Sequence, residues 1–197
     1  MRKAILGSLA LLGAFSALAP APHASASSQV PRVAQSQSLA KYFPAANQYP
    51  AGYNALPVRS YSQPSHLFIG AHADLAIRYH FVTGATQVAF GRDVVVTITI
   101  ARFRNELGAR HFRAAVWSDV INNGKQKGGA VRDLGSTGGR YVSGRCAPCG
   151  PTAPTFLQLF FVRGPIFVQL GVQPSDLGPA RHLGTVIDAK LKYAHAR

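Results

Sequence analysis

The stretch DVVVTITIARFRNELGARHFRAAVWSDVINN, residues 93–123, contains a strand pattern followed directly by a helix pattern, and this succession decides the fold class. The first part is rich in β-branched residues, which favour strands, and alternate residues of a strand face the same side of a sheet. The residues that would share one face are Val94, Val96, Ile98 and Ile100. The second part begins with Asn105, a favourable N-cap residue, and places Glu106 in the first helical turn. We therefore expect a strand and, a few residues later, a helix.

The apolar residues of this expected helix recur at helical spacing and would face the sheet. They are Ala109, Phe112, Val116 and Val120. The run Asn122-Asn123-Gly124 would end the helix, because Asn and Gly tolerate the left-handed conformation of a C-terminal cap.

The segments on either side of this stretch add further strands. Upstream, LAIRYHFV (75–82) alternates in the way of a half-buried strand, and TQVAF (86–90) is followed by Gly91-Arg92, which suits a hairpin. Downstream, two strong strand patterns meet at a tight turn on Arg163-Gly164. These patterns are TFLQLFFV (155–162) and PIFVQLGV (165–172), and shorter strand candidates are AVRDL (130–134) and RYVSG (140–144).

A second helix is expected near the C-terminus, capped by Ser175 or Asp176. Its buried stripe would consist of Leu183, Val186, Ile187, Leu191 and Ala194. Strands joined by hairpins form an antiparallel sheet, and two amphipathic helices would cover one of its faces. The predicted fold is therefore α+β, with an antiparallel sheet of about five to seven strands and two helices packed on one face.

The N-terminal region has the three-part layout of a secretory signal peptide. Arg2 and Lys3 form a positive region, a run of small and apolar residues follows, and Ala24-Ser25-Ala26 is an A-x-A cleavage signal. A membrane anchor is the alternative, but Gly and Ser residues dilute the apolar run and Pro20 ends it. We expect cleavage near Ala26 and a secreted or extracytoplasmic protein.

The signal-peptide prediction and the strand and helix patterns together divide the chain into three regions. Residues 1–26 are the signal peptide, residues 27–65 form a Pro-, Ser- and Gln-rich lead-in of extended backbone, and residues 66–197 form a single α+β domain.

Three stretches, FPAANQYPAGY (43–53), VVVTITIARFRNELGARHF (94–112) and FFVRGPIFVQLGV (160–172), resemble a broad group of small exported bacterial proteins and lipoproteins of uncharacterised function. In that group a proline-rich lead-in precedes a strand, a helix that starts a few residues later, and a strand pair that turns on Arg-Gly. The similarity covers most of residues 41–195, and the chain departs from the lipoprotein members because it lacks their anchoring cysteine. The resemblance implies the fold class and brings no catalytic residues.

The chain is strongly basic, with a formal net charge of +14 over its 197 residues. Without residues 1–26, 19 Lys and Arg residues remain against seven Asp and Glu residues, which gives +12. The charges are spread along the chain and not gathered in one block, which indicates a basic folded surface. Anionic cell-envelope polymers or lipid surfaces are plausible partners, and the alternative is a generally basic surface without such a role.

The only two cysteines, Cys146 and Cys149, are separated by Ala-Pro. An exported protein meets an oxidising environment, so we expect a local disulfide. A thiol-active site is the alternative, but Gly150 and Pro151 follow the pair, whereas a redox-active thiol of this spacing usually lies at a helix N-terminus. A zinc site is a third reading and would need two further ligands from elsewhere.

No other pattern indicates catalysis, a metal site or a cofactor. The seven histidines show no helical ligand spacing, no nucleophile elbow is present, and Glu106 is the only glutamate. We therefore predict no catalytic residues, no metal and no cofactor.

The middle helix carries the candidate contact surface. Arg110, Arg113 and Trp117 lie at positions i, i+3 and i+7, so they share one ridge, and a guanidinium over Trp117 would form a cation–π pair. The alternative is that Trp117 only covers the edge of the core and the stem of Arg113 lies on it.

The sequence thus favours an exported, non-enzymatic binding or interaction domain that acts in or outside the cell envelope, with an unknown ligand. One alternative is a charge-driven binder of anionic polymers or membrane surfaces, without sequence-specific recognition of nucleic acid. Another alternative is a thiol-active or metal-dependent enzyme built around Cys146 and Cys149.

Overall fold

The computed structural model describes residues 39–122, 126–145 and 154–195. The strands are β1 (Asn54–Ala55), β2 (Arg59–Tyr61), β3 (Phe81–Phe90), β4 (Val95–Phe103), β5 (Lys127–Val131), β6 (Gly139–Arg145), β7 (Thr155–Arg163) and β8 (Ile166–Gln173). The helices within these residues are α1 (Ala71–Arg78), α2 (Glu106–Asn122) and α3 (Leu177–His195), with short 3-10 helices at Ala46–Gln48 and Pro64–His66. The strands form one antiparallel sheet in the order β1-β3-β4-β8-β7-β6-β5, and β2 also pairs with β3.

The expected α+β class with an antiparallel sheet is confirmed, although the sheet has eight strands and is larger than predicted. The two shortest strands, β1 and β2, account for this difference because both lie in the region read as a lead-in. Strands of two and three residues carry too little alternation to be recognised in a sequence.

Helices cover both faces of the sheet, so the prediction of two helices on one face is wrong in that detail. Strand β7 explains this arrangement, because Leu159 and Phe161 belong to the core on one face whereas Phe160 and Val162 belong to the core on the other. A strand that is apolar on both sides needs cover on both sides. Helix α3 packs on the first face, while α1 and α2 pack on the second.

Both predicted hairpins are confirmed. In the turn between β3 and β4, the Gly91 N–H donates to the Val94 carbonyl at 2.7 Å. In the turn between β7 and β8, Arg163 pairs with Ile166, and Gly164 adopts a φ of +53°, which glycine reaches without a Cβ penalty.

The segment LAIRYHFV contains the end of a helix and the first residues of a strand, so the expected strand over 75–82 is wrong. Helix α1 continues to Arg78, His80 follows with a φ of 62°, and β3 begins at Phe81. The buried residues Ala73 and Ala76 are three positions apart, which is helical spacing. The strand prediction relied on a short alternation, and such runs do not separate strand from helix.

The first part of the segment 39–65 packs against the sheet. Leu39, Tyr42, Phe43 and Tyr49 are buried in the same core as α3. The Tyr49 hydroxyl donates to Gln87 Oε1 at 2.7 Å, and burial raises the pKa of Tyr49 to about 12. This part of the expected lead-in therefore contributes to the core.

The two longer helices begin where the sequence indicates. Before α2, the Gly108 N–H donates to Asn105 Oδ1 at 2.8 Å, and before α3 the Gly178 N–H donates to Asp176 Oδ1 at 2.8 Å. In the expected stripe of α3, Leu183, Ile187 and Leu191 are buried. Val186 is half-buried and lines a groove beside α3, and Ala194 is exposed near the C-terminal end of the helix.

Replacing the cap residue tests how strongly it stabilises α2. Asn105→Ala removes the acceptor for the Gly108 N–H, and we expect the free energy of unfolding to fall by about 1 kcal/mol. Urea denaturation measures this change. Asn47→Ala, at an exposed position, serves as the control and should change stability by less than about 0.5 kcal/mol. Equal effects of the two substitutions would contradict the capping role.

Candidate functional site: an arginine cluster beside helix α2

The ridge predicted on α2 lies against β6 and the loop that precedes it. Arg110, Arg113 and Trp117 occupy the flank of α2 that faces this loop, and Arg140 reaches the same flank from β6. Arg140 shares its side of the strand with Val142, which is buried in the core beneath α2. We call Arg110, Arg113 and Arg140 the arginine cluster.

Arg113 lies at the centre of the cluster and is half-buried. Its Nη1 donates to the Gly138 carbonyl at 2.9 Å and to Thr137 Oγ1 at 3.1 Å, which fixes the guanidinium against the loop. Burial lowers the pKa of the Arg113 guanidinium, and the positive charges of Arg140 and Arg110 lower it further. The cluster thus holds like charges close enough to repel one another.

Trp117 forms a cation–π pair whose cation is Arg140, a residue outside the ridge that the sequence suggested. The Arg140 guanidinium carbon lies 5.4 Å from the centroid of the Trp117 ring. The buried Trp117 Nε1 has no hydrogen-bond partner within the described part of the chain. The indole therefore acts as an apolar platform for Arg140, an exposed residue, and this arrangement directs the guanidinium along the surface.

A single carboxylate joins the cluster. Arg110 Nη2 lies 2.6 Å from Glu106 Oε1, one turn away on α2, and the same oxygen accepts a hydrogen bond from Ser136 Oγ at 2.9 Å. Three guanidinium groups against one carboxylate leave the flank with net positive charge.

Sequence reasoning found Arg110, Arg113 and Trp117 but missed Arg140. The sequence gives little indication that Arg140 would lie near Trp117, because Arg140 begins the short strand candidate RYVSG, 23 residues after Trp117. Only the position of β6 next to α2 brings the two side chains together.

A groove of about 700 Å³ lies on the other face, between α3 and the 3-10 helix Ala46–Gln48. Its cations already have partners in the protein: Arg181 pairs with Asp133 at 3.1 Å, His182 bonds to the Gln48 carbonyl, and Lys190 donates to the Phe43 carbonyl at 2.6 Å. Burial lowers the pKa of Lys190. These contacts hold the cations of the groove in hydrogen bonds and an ion pair within the protein.

The remaining predicted site concerns Cys146 and Cys149, which lie outside the described residues. Elsewhere, His72 Nε2 lies 2.9 Å from Asp119 Oδ2, which ties α1 to α2. In the part of the chain that the structure describes, no group of three or more His, Cys, Asp or Glu residues is placed to hold a metal ion. No helix among the described residues is long and apolar enough to cross a membrane.

The fold and this flank define a class: an α+β domain with a central antiparallel sheet, helices on both faces, and a basic cluster beside one helix. No protein-family model matches the sequence, and neither does any curated protein. Among solved structures, the chain is similar to the extracellular domain of PknH from Mycobacterium tuberculosis, with a TM-score of 0.60 and 9% sequence identity. The similarity covers 80% of this chain and 96% of that domain. At this identity the likeness establishes the shared fold alone.

Proposed function

We propose that this chain is an exported, non-enzymatic binding domain whose arginine cluster contacts an anionic polymer of the cell envelope. Its export is supported by the signal-peptide pattern of residues 1–26 and by the structural likeness to an extracellular domain.

One observation carries the proposal: Arg110 and Arg113 from α2 and Arg140 from β6 converge on one flank with a single carboxylate among them. Holding like charges together is unfavourable, and a bound anion relieves their repulsion. Arginine suits this task because its planar guanidinium contacts sulfate, phosphate and carboxylate groups through two donors at once.

The charge of the whole surface supports the same ligand chemistry. The described residues contain 16 of the 21 Lys and Arg residues and all seven acidic residues, which leaves a net charge of +9 in this part of the chain. A surface of one dominant sign attracts polyanions at long range and raises their association rate.

The acidic residues support binding over acid–base catalysis. Asp133, Asp188 and Glu106 each lie within 3.1 Å of an arginine side chain, and Asp119 lies 2.9 Å from His72 Nε2. Carboxylates held in this way serve to position helices and loops.

Heparin binding as a function of salt tests the proposal. Arg110→Gln combined with Arg140→Gln removes two charges of the cluster and keeps Arg113, which supports the Gly138 carbonyl. We expect the protein to bind heparin at about 50 mM salt and to lose most of its affinity by about 200 mM, because binding releases counterions. The double substitution should make the plot of log affinity against log salt less steep by about one to two units.

The matched control is Arg59→Gln combined with Arg92→Gln, which removes the same charge from exposed positions on β2 and on the β3–β4 turn. This control variant should keep the slope of log affinity against log salt closer to that of the unmodified protein than the Arg110→Gln, Arg140→Gln variant does. Equal losses in the two variants would show that net charge alone drives binding. Absence of heparin binding at about 50 mM salt would refute the proposal.

A further inference from the structure

A second surface combines exposed aliphatic side chains with arginines where α1 meets the start of α2. Ile77 is 63% exposed and Leu107 is 61% exposed, although large aliphatic residues are usually buried. We call these two residues, with Arg78 and Arg104, the junction patch.

Backbone contacts bring the two chain segments of this patch together. The Arg104 N–H donates to the His80 carbonyl at 3.0 Å, and the rings of Tyr79 and His111 lie 5.6 Å apart. The approach is close at Gly108, where a Cβ would lie 2.5 Å from the Tyr79 carbonyl oxygen. Ile77 precedes Tyr79 by two residues and Leu107 directly precedes Gly108, so the two exposed aliphatic residues lie on either side of this junction.

The charged residues around the junction patch are two arginines and two carboxylates, and one of the carboxylates is already paired with an arginine outside the patch. Arg78 and Arg104 are both exposed. Glu106, which precedes Leu107 on α2, is bound to Arg110 and Ser136. On α1, Asp74 lies one turn before Arg78. Long arginine side chains can reach outward to anionic groups while their stems remain on apolar surface.

We propose that the junction patch docks the domain onto a lipid surface that contains anionic headgroups. Ile77 and Leu107 would enter the boundary between headgroups and acyl chains, while Arg78 and Arg104 would contact lipid phosphates. Binding of this kind combines buried apolar area with attraction to anionic lipids. The alternative is a symmetric contact with a second copy of the chain. This contact is disfavoured because it would bring the same arginines of both copies close to one another.

Cosedimentation of the purified protein with phosphatidylcholine vesicles, with and without phosphatidylglycerol, tests the proposal. We expect binding to the anionic vesicles and much weaker binding to the neutral ones. Ile77→Ser combined with Leu107→Ser should lower the partition onto anionic vesicles at least about tenfold, because two aliphatic side chains no longer enter the interface. Both side chains are exposed, so the fold should be retained, which circular dichroism checks.

Two controls separate this surface from others. Phe90→Ser alters an exposed aromatic residue at the opposite end of β3, roughly 30 Å from Phe81, and should leave vesicle binding unchanged. Heparin affinity of the Ile77→Ser, Leu107→Ser variant should also be unchanged, because that contact is proposed for the arginine cluster.

Three results would overturn the proposal. The first is vesicle binding that persists in the Ile77→Ser, Leu107→Ser variant, and the second is vesicle binding that is lost only with Arg110→Gln and Arg140→Gln. The third is concentration-dependent dimerisation that the junction substitutions abolish, which would identify the patch as a contact between copies. None of these results depends on whether heparin binds to the arginine cluster.

Discussion

Asp188→Ala should lower the free energy of unfolding by about 3–5 kcal/mol, because it leaves a largely buried arginine without its counterion. The Asp188 side chain is 2% exposed, and its two oxygens accept hydrogen bonds from Arg163 Nε and Nη2, both at 2.8 Å. Arg163 Nη2 also donates to the Gly135 carbonyl at 2.8 Å. The pair therefore ties α3 to the end of β7 and to the loop before β6.

Urea denaturation of the variant measures the change, and Asp133→Ala provides the matched control. Asp133 pairs with Arg181 at 3.1 Å, but both side chains are largely exposed, so its loss should cost less than about 1 kcal/mol. Replacing both buried partners, as Arg163→Met with Asp188→Leu, should recover most of the lost stability because no buried charge is left unpaired. Lys192, which lies 3.3 Å from Asp188 Oδ2, is 56% exposed and stays solvated. If Asp188→Ala lowered the free energy of unfolding as little as Asp133→Ala, solvent would be compensating the charge of Arg163 in place of Asp188.

Phe112→Ala should also cost about 3–5 kcal/mol, because it opens a cavity under α2. The Phe112 ring is fully buried, and its centroid lies 4.8 Å from that of Phe68 and 5.0 Å from those of Phe103 and Phe167. Phe112 is thus the central contact between α2, the sheet and the segment that precedes α1.

Calorimetric or urea unfolding measures this loss, with Phe90→Ala as the control. Phe90 is 44% exposed at the end of β3, so its truncation should cost far less than that of Phe112. Phe112→Leu retains much of the volume and should show an intermediate cost. If Phe112→Ala and Phe90→Ala were equally destabilising, the buried aromatic residues under α2 would contribute no more to the free energy of unfolding than an exposed ring.

Much of the fold follows from local patterns. Strand β4 is dense in β-branched residues, α2 begins with a cap at Asn105, and the β7–β8 hairpin turns at Gly164. Each of these features depends on residues within one element or one turn, where periodicity and cap chemistry act directly.

The candidate site was accessible from the sequence only in part. Arg110, Arg113 and Trp117 belong to one helix, so their spacing alone places them on one ridge. Arg140 comes from another element, and its contact with Trp117 depends on how β6 lies beneath α2. Helical spacing carries no information about such a neighbour.

The sequence by itself thus determined the α+β class, both hairpins, the start of α2 and the ridge on that helix, because these are properties of short segments. The tertiary structure decided that α1 is a helix, that helices cover both faces, and that Asp188 pairs with Arg163. Periodicity fixes which residues share a face, whereas the element that covers this face depends on the packing of the whole chain. The junction patch arises for the same reason, since tertiary contacts such as the hydrogen bond between Arg104 and His80 bring its two segments together.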